Sequence, residues 1–264
     1  MVRELRTYLL VAVAQIALIT SCSNRIELDM RQITTSATPF IECYCEVGEL
    51  YNLAATYLSP IDEPQNLDYS YDFEVYINDT EEHRLLQSIF YVDNFIYSHG
   101  SSASLPIDFD GLLQLRVVAE DGSIYTAAAS VPDPVEIASA TFVDHRLVVE
   151  FDSSADDLQN YYSLNIRVSN DQGEVISVRT QLYTPEQNQR LTYERVFDDT
   201  SICTANISLL RLNRDGYRYI YSLVENEEAI ESNLISRTPL NGNIEGAVGV
   251  FTAYTRDEII LQME

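Results

Sequence analysis

Cys22 is the residue to which the sequence gives the plainest chemistry. It closes the run Ile19-Thr20-Ser21-Cys22, a branched aliphatic, two small residues and then a thiol. Small residues ahead of a cysteine suit the cleft of a signal peptidase, and the thiol is the point of acylation. Arg3 and Arg6 lead into the apolar stretch YLLVAVAQIALI, Tyr8 to Ile19, which only Gln15 interrupts. A stretch of that length falls short of the roughly 20 residues that cross a bilayer. It has the length of a signal-peptide core. Residues 1–21 are therefore expected to be a lipoprotein signal peptide, Cys22 the lipidation site, and residues 22–38 a polar tether. Each buried acyl methylene contributes about 0.8 kcal/mol, and two chains suffice for stable anchoring.

The other reactive residue types are sparse. Cys43 and Cys45 are two apart, so they share one face of an expected strand. Neither is a good partner for the other on that face; free buried thiols are expected, and a disulfide from either to Cys203 is the alternative. A C-x-C pair could hold a soft metal, but no third ligand lies near it. His83, His99 and His145 have no metal spacing and are expected on exposed loops or strands. The stretch SHGSSAS, Ser98 to Ser104, sets a histidine beside serines, yet a triad also needs an orienting acid brought close in space. Asp152, Asp156 and Asp157, and Asp198 with Asp199, offer oxygens that calcium uses. The spacing of a calcium loop is absent, and solvated turns are expected instead. No residue is assigned to catalysis, to a cofactor or to a metal.

The composition narrows the classes further. Hydrophobic residues make up 46% of the 264, enough for a buried core. Acidic residues outnumber basic ones 41 to 16, for a net charge of -25. All the basic residues are Arg. The absence of Lys excludes Schiff-base chemistry and a P-loop. The charge argues against nucleic acid and against electrostatic docking on anionic lipid.

The elements that would carry these residues are mostly strands. FIECYCEV, LYNLAATYL and YDFEVYIND each read as a strand. In LLQLRVVAEDGSIYTAAASVP, Leu112 to Pro132, Asp121-Gly122 joins two alternating runs as a hairpin. Pro132 and Pro134 in VPDPVEI mark the best boundary. Beyond it come ATFVDHRLVVEF, then NYYSLNIRVSN and GEVISVRTQLY around the turn Asn170–Gly173, and then ICTANISLLRL. Helical period appears in RDGYRYIYSLVENEEA, where Tyr217, Ile220, Tyr221 and Val224 share a face. Asn213 or Asp215 could cap that helix, and its aromatic stripe is expected to pack on a sheet. The expected fold is mainly β: two β-sandwich, immunoglobulin-like or fibronectin-like domains over 39–132 and 133–264, with one helix at about 214–229 on the second sheet.

The segment NIEGAVGVFTAYT, Asn243 to Thr255, resembles the C-terminal signature of a Bacteroidota lipoprotein family, domain-of-unknown-function family 4249. Ala247 stands where that signature usually has a second Gly. FIECYCEVGE resembles the family's opening strand and GLLQLRVVAEDGSIYTAAASVPDPV its middle motif. NYYSLNIRV and RDGYRYIYSLVENEEA have counterparts too. The resemblance implies an outer-membrane lipoprotein of the kind encoded beside TonB-dependent transporters, and it carries no catalytic residues.

Three functions follow as expectations. The first is a non-catalytic accessory or binding protein, held in the outer membrane by its N-terminal lipid and partnered with a TonB-dependent transporter. The second is a surface adhesin or glycan-binding module, for which 18 Tyr supply stacking surfaces. The third is a hydrolase with a site between the domains. The face of the membrane, the small-molecule or glycan ligand and any calcium are left open by the sequence.

Overall fold

The computed structural model describes residues 38–58, 73–78, 84–92, 95–231 and 239–263. Cys22, the signal-peptide residues, nearly all of the tether and His83 lie outside the described residues.

Alternation of apolar and polar residues produces the strands. β1 (Thr38–Glu46) buries Ile41, Cys43 and Cys45 on one side and turns Glu42, Tyr44 and Glu46 to the other. β2 (Leu50–Leu58) pairs with it antiparallel. β3 (Phe73–Ile77), β4 (Arg84–Val92), β5 (Phe95–Ser104), β6 (Leu112–Ala119) and β7 (Ile124–Ser130) complete the first half of the chain. β8 (Ile137–Val143), β9 (Arg146–Asp152), β10 (Tyr162–Asn170), β11 (Val175–Tyr183), β12 (Arg190–Val196) and β13 (Ile202–Leu212) follow. Then come one helix, α1 (Arg214–Glu231), and the long strand β14 (Val248–Gln262).

Among the described residues the strands form two sheets. The larger has the order β11-β10-β13-β14-β1-β2-β5-β4-β3-β6-β7, and the smaller is β12-β9-β8. β1 and β14 pair in parallel, Cys43 beside Phe251 and Cys45 beside Ala253. The fold is thus mainly β and sandwich-like. The large sheet turns over on itself, so that Ile41, Leu53, Val75, Leu115, Val117 and Phe251 share one core. The small sheet covers the β10–β13 end, and Leu147, Val149, Phe151, Leu164, Ile166 and Ile207 form a second core. β14 serves both, with Phe251 and Ala253 in the first core and Ile259 and Leu261 against the second. Side chains of this size, fully buried, contribute about 1.5–3 kcal/mol each.

The proline segment passes between these cores, Val131 packing on the first and Val135 entering the second. It is pinned by side chains. Buried Arg211 donates to the carbonyls of Asp133 at 3.2 Å and Pro134 at 2.7 Å, and Thr255 Oγ1 donates to Asp133 at 2.8 Å. The signature segment is equally structural. Asn243 bonds both the N–H and the C=O of Phe251, at 2.9 Å each, as a neighbouring strand would. Gly249 has φ +123, and a Cβ there would collide with the Ile41 carbonyl, so only glycine lets β1 and β14 approach.

The expected turns at Asp121-Gly122 and Asn170–Gly173 are present, with Gly122 at φ 84 and Gly173 at φ 80. ATFVDHRLVVEF is a hairpin rather than one strand. Asp144 and His145, at φ 48 and 60, form the two-residue link between β8 and β9.

The helix is capped by Asn213, whose Oδ1 accepts from Gly216 N at 2.8 Å. Its buried face is a correction. Gly216, Tyr219 and Ser222 face the large sheet, whereas Tyr221 is 45% exposed and Tyr217 only partly buried. The reason is close approach: a Cβ at Gly216 would collide with the Thr252 side chain, so the helix seats through its glycine. The stripe of Tyr217, Ile220, Tyr221 and Val224 is turned away from that seat.

The cysteines follow the free-thiol expectation, not the disulfide alternative. Cys43, Cys45 and Cys203 are all free. Cys45 lies beside Ala253, while Cys203 lies beside Met263, ten residues further on and just past the end of β14. At about 3.3 Å per residue that is roughly 33 Å, far beyond disulfide reach. Cys43 and Cys45 stand together in the first core with their sulfurs 3.7 Å apart. The neighbouring Cys43 thiol and burial push the Cys45 thiol pKa up, so it is an unreactive thiol.

Candidate functional site

The polar face of β1 is the start of the site. Because β1 alternates, Glu42, Tyr44 and Glu46 form a row on the side that α1 partly covers. Tyr219 reaches down from α1 and donates its hydroxyl to Glu42 Oε1 at 2.7 Å. Tyr44 bonds the same carboxylate. Tyr254, from the neighbouring β14, donates to Glu46 Oε2 at 2.8 Å, and Arg256 Nε sits 2.7 Å from Glu46 Oε1. Burial pushes the Glu42 carboxyl above its usual range, against the pull of the two phenols that bond it. Burial likewise raises the phenols of Tyr44, Tyr219 and Tyr254, and the nearby carboxylates raise them further. These tyrosines are therefore donors held in the neutral form, not nucleophiles.

Arg256 extends this row along the sheet. Its Nη1 lies 3.8 Å from Glu258 Oε2, and Glu258 Oε1 accepts from Asn206 Nδ2 at 2.8 Å. Asn165, Arg167, Asn206, Ser208, Arg256 and Glu258 then line an open groove of about 330 Å³ on the face of β10, β13 and β14. The whole arrangement is a hydrogen-bonding surface with donors and acceptors interleaved. The buried part of the row is satisfied within the protein, and the groove is its open end.

Two other hollows lie elsewhere. One of about 440 Å³ is lined by Gln114, Arg116, Thr126, Asn243 and Glu245. One of about 490 Å³ lies beside the proline segment, with Asp108, Asp110, Asp133, Gln159 and Thr255. Neither sets a nucleophile against a base.

The sequence-selected residues fall as follows. His99 is 1% exposed, not on the surface as its sequence context suggested. Its Nε2 lies 3.0 Å from the Phe73 carbonyl, which can only accept, so Nε2 carries the proton. Nδ1 then accepts from Ser98 Oγ at 2.8 Å. Burial lowers the His99 pKa, opposed by the bond to Phe73, and keeps the ring neutral. A carbonyl stands where a triad would need a carboxylate, and Ser98 is 2% exposed. The pair ties β5 to β2 and β3, since Ser98 Oγ also accepts from Ala55 N at 2.9 Å. His145 occupies its hairpin turn, apart from His99.

The aspartates hold turns. Asp152 pairs with Arg190 at 2.6 Å. Asp156 caps a short 3-10 turn through Leu158 N at 2.9 Å, and Asp157 lies within that turn. Asp199 accepts from Ser201 N and Oγ. Among the described residues no three His, Cys, Asp or Glu side chains are grouped to hold a metal.

Sequence reasoning missed the tyrosine and carboxylate row. The signal was present in FIECYCEV, where Glu, Tyr and Glu occupy every second position of an otherwise apolar strand.

Among the described residues, a mainly β, sandwich-like fold with a helix seated on the larger sheet is the class that the structure defines. The chain belongs to the family described as domain of unknown function DUF4249, whose model matches residues 40–260. No curated protein matches it. Among solved structures it is similar to a DUF4785 family protein from Legionella pneumophila, at 11% identity and a TM-score of 0.27, over 65% of this chain and 52% of that one. It is similar to the Bacteroides ovatus mixed-linkage glucan utilization locus SGBP-B, solved with a mixed-linkage heptasaccharide. There the identity is 14% and the TM-score 0.22, over 65% of this chain and 37% of that one. A third likeness is to the FN1–FN3 domains of chicken CNTN1, at 9% identity and a TM-score of 0.22, over 86% and 67%. The chain spans about half the length of the first of these and just over a third of the second.

Proposed function

We propose that this chain is a lipid-anchored, non-catalytic binding protein of the bacterial outer membrane that works beside a TonB-dependent transporter. The observation that carries the reading is the run Ile19-Thr20-Ser21-Cys22 directly after an apolar signal core. Sixteen positions separate Cys22 from Thr38, the first residue of β1, a span of at most roughly 55 Å when extended. That length bounds how far the folded body can stand from an anchored lipid. The polar face fits the role because its tyrosines and carboxylates are fixed by mutual bonds, and a fixed surface loses little entropy on binding. Palmitate labelling and membrane fractionation of the wild type and of Cys22→Ala test the anchor. The expected result is label and membrane retention for the wild type alone. Equal retention of the variant overturns the reading. Enrichment of a TonB-dependent barrel with the tagged, membrane-extracted protein tests the partner.

A second reading, a glycan-binding surface, is favoured by one feature. Tyr161, Tyr217 and Tyr221 form a surface row with centroid spacings of 5.5 and 6.3 Å, the second pair only 21° from parallel. Rings in such a row offer flat faces and hydroxyls to sugars. Tyr217→Ala with Tyr221→Ala, measured against a neutral glycan array, separates the two readings. An array without hits for the wild type removes this one.

A further inference from the structure

The sheet edges of this protein are unequally defended. A free edge strand presents unpaired N–H and C=O groups, and soluble proteins usually block it with charge, bulges or covering segments. β7 is covered: Glu245 N donates to the Thr126 carbonyl at 2.8 Å, and Asn243 Nδ2 donates to Ala128 O at 3.2 Å. β12 carries Arg190, Glu194 and Arg195, and the first two are locked in cross-strand ion pairs. β8 is broken by a register shift between Ile137 and Ser139, and its first N–H is taken by Asp257 Oδ2 at 2.7 Å.

β11 has little of this. It ends the large sheet, and among the described residues nothing pairs with its outer side. A bulge at Ile176 disturbs its start, since Val168 pairs with Ser177 and Ser169 with Val175. From Ser177 to Tyr183 the register is regular. That stretch is also held rigid at its far end, where the Tyr183 ring meets Phe151 edge-on at 5.6 Å. Val178 is 58% exposed. No Pro, Lys or carboxylate lies in the stretch between Ser177 and Thr184. Its one charge is Arg179, exposed and without an ion pair among the described residues.

We infer that Ser177–Tyr183 is a strand-addition site for an extended segment of another protein, one that places a carboxylate opposite Arg179. Main-chain hydrogen bonds supply the affinity in this mode, and the side chains opposite set the choice. A directly opposed residue lies within about 5 Å of its neighbour's Cβ, so a carboxylate there pairs with Arg179 and a cation is repelled. A second copy of this chain is the poorer occupant. Two bodies of net charge -25 repel each other, and a copy's β11 brings no carboxylate of its own.

The test uses nine-residue peptides of alternating Thr and Val, with Glu, Lys or N-methylated Glu at the centre, against the full chain. Binding is read by fluorescence anisotropy and by hydrogen exchange. The Glu peptide is expected to bind and to slow exchange within residues 177–183. The N-methylated peptide should not bind. In Arg179→Glu, whose side chain is exposed and whose fold is checked by circular dichroism, the preference should reverse by about tenfold in favour of the Lys peptide. Protection elsewhere, indifference to the charge swap, or no binding by any peptide would overturn the inference. So would protein-concentration-dependent protection of 177–183 without peptide, which would assign the edge to self-association.

Discussion

The two sides of β1 contain nearly the same number of residues and behave as different materials. Ile41, Cys43 and Cys45 enter a dry core in which shape decides stability. Glu42, Tyr44 and Glu46, their immediate neighbours, sit in a polar layer: Glu42 is bonded by Tyr219 of α1 and by Tyr44 beside it, and Glu46 by Tyr254 and Arg256 of β14. The lesson is that a strand between two covered faces need not be apolar on both. A carboxylate can be placed under a helix if phenols are brought to it, as Tyr219 and Tyr44 are to Glu42.

Substitutions on the inner side should be the costliest. Phe251 is fully buried in the first core, and Phe251→Ala is expected to lose about 3–5 kcal/mol, read as a lower urea midpoint at unchanged slope. On the outer side, Tyr219→Phe keeps the ring and removes only the bond to Glu42. A loss of about 1.5–3 kcal/mol is expected, because the partner is a carboxylate that stays half-buried. If the two variants were equally destabilised, the layer would be packing rather than polar pairing.

Glu42→Gln sharpens the contrast through pH. The Glu42 carboxyl is raised above its usual 4.5 in the folded state. The folded chain therefore holds this proton more tightly than the unfolded chain does. Its contribution to stability is complete below pH 4.5 and is lost as pH rises through the folded value. Glu42→Gln should lack that decline, so the gap between variant and wild type widens in the variant's favour from pH 4 to neutrality. A constant gap, measured by denaturation at each pH, would show that Glu42 is not held as described.

Much of this architecture could be read from local pattern. β2 spans Leu50–Leu58 as its alternation suggests, and the Asp121-Gly122 and Asn170–Gly173 turns have residues that tolerate positive φ. The losses have physical causes. Asp144-His145 forms a tight hairpin without a glycine, and Asp144 alone is a weaker turn signal than Asp-Gly. β4 and β5 lack clean alternation, because RLLQSIFYV is exposed along much of its length and FIYSHGSSAS buries a serine and a histidine side by side. The face of α1 was misread because a hydrophobic stripe was weighed and Gly216 was not. The tyrosine and carboxylate layer showed in the sequence only as the alternation in FIECYCEV, because its bonds join residues 177 and 208 positions apart. In a chain this acidic, each of those glutamates reads alone as a solvated charge.

The smallest effect is expected where a polar pair lacks a covering layer. Arg190 holds Asp152 with two bonds, at 2.6 and 2.8 Å, and lies 3.5 Å from Glu150, a denser set of contacts than Tyr219 makes with Glu42. Contact number would rank the arginine first. Solvent reverses the ranking, because Arg190 is about half exposed and water competes for every one of those bonds. Both side chains are about half exposed, and holding two such side chains in one geometry costs entropy. Arg190→Gln should leave the urea midpoint unchanged within error and reduce only the salt dependence of unfolding. A destabilisation matching that of Tyr219→Phe would mean that burial is not what separates the surface pair from the layer beneath α1.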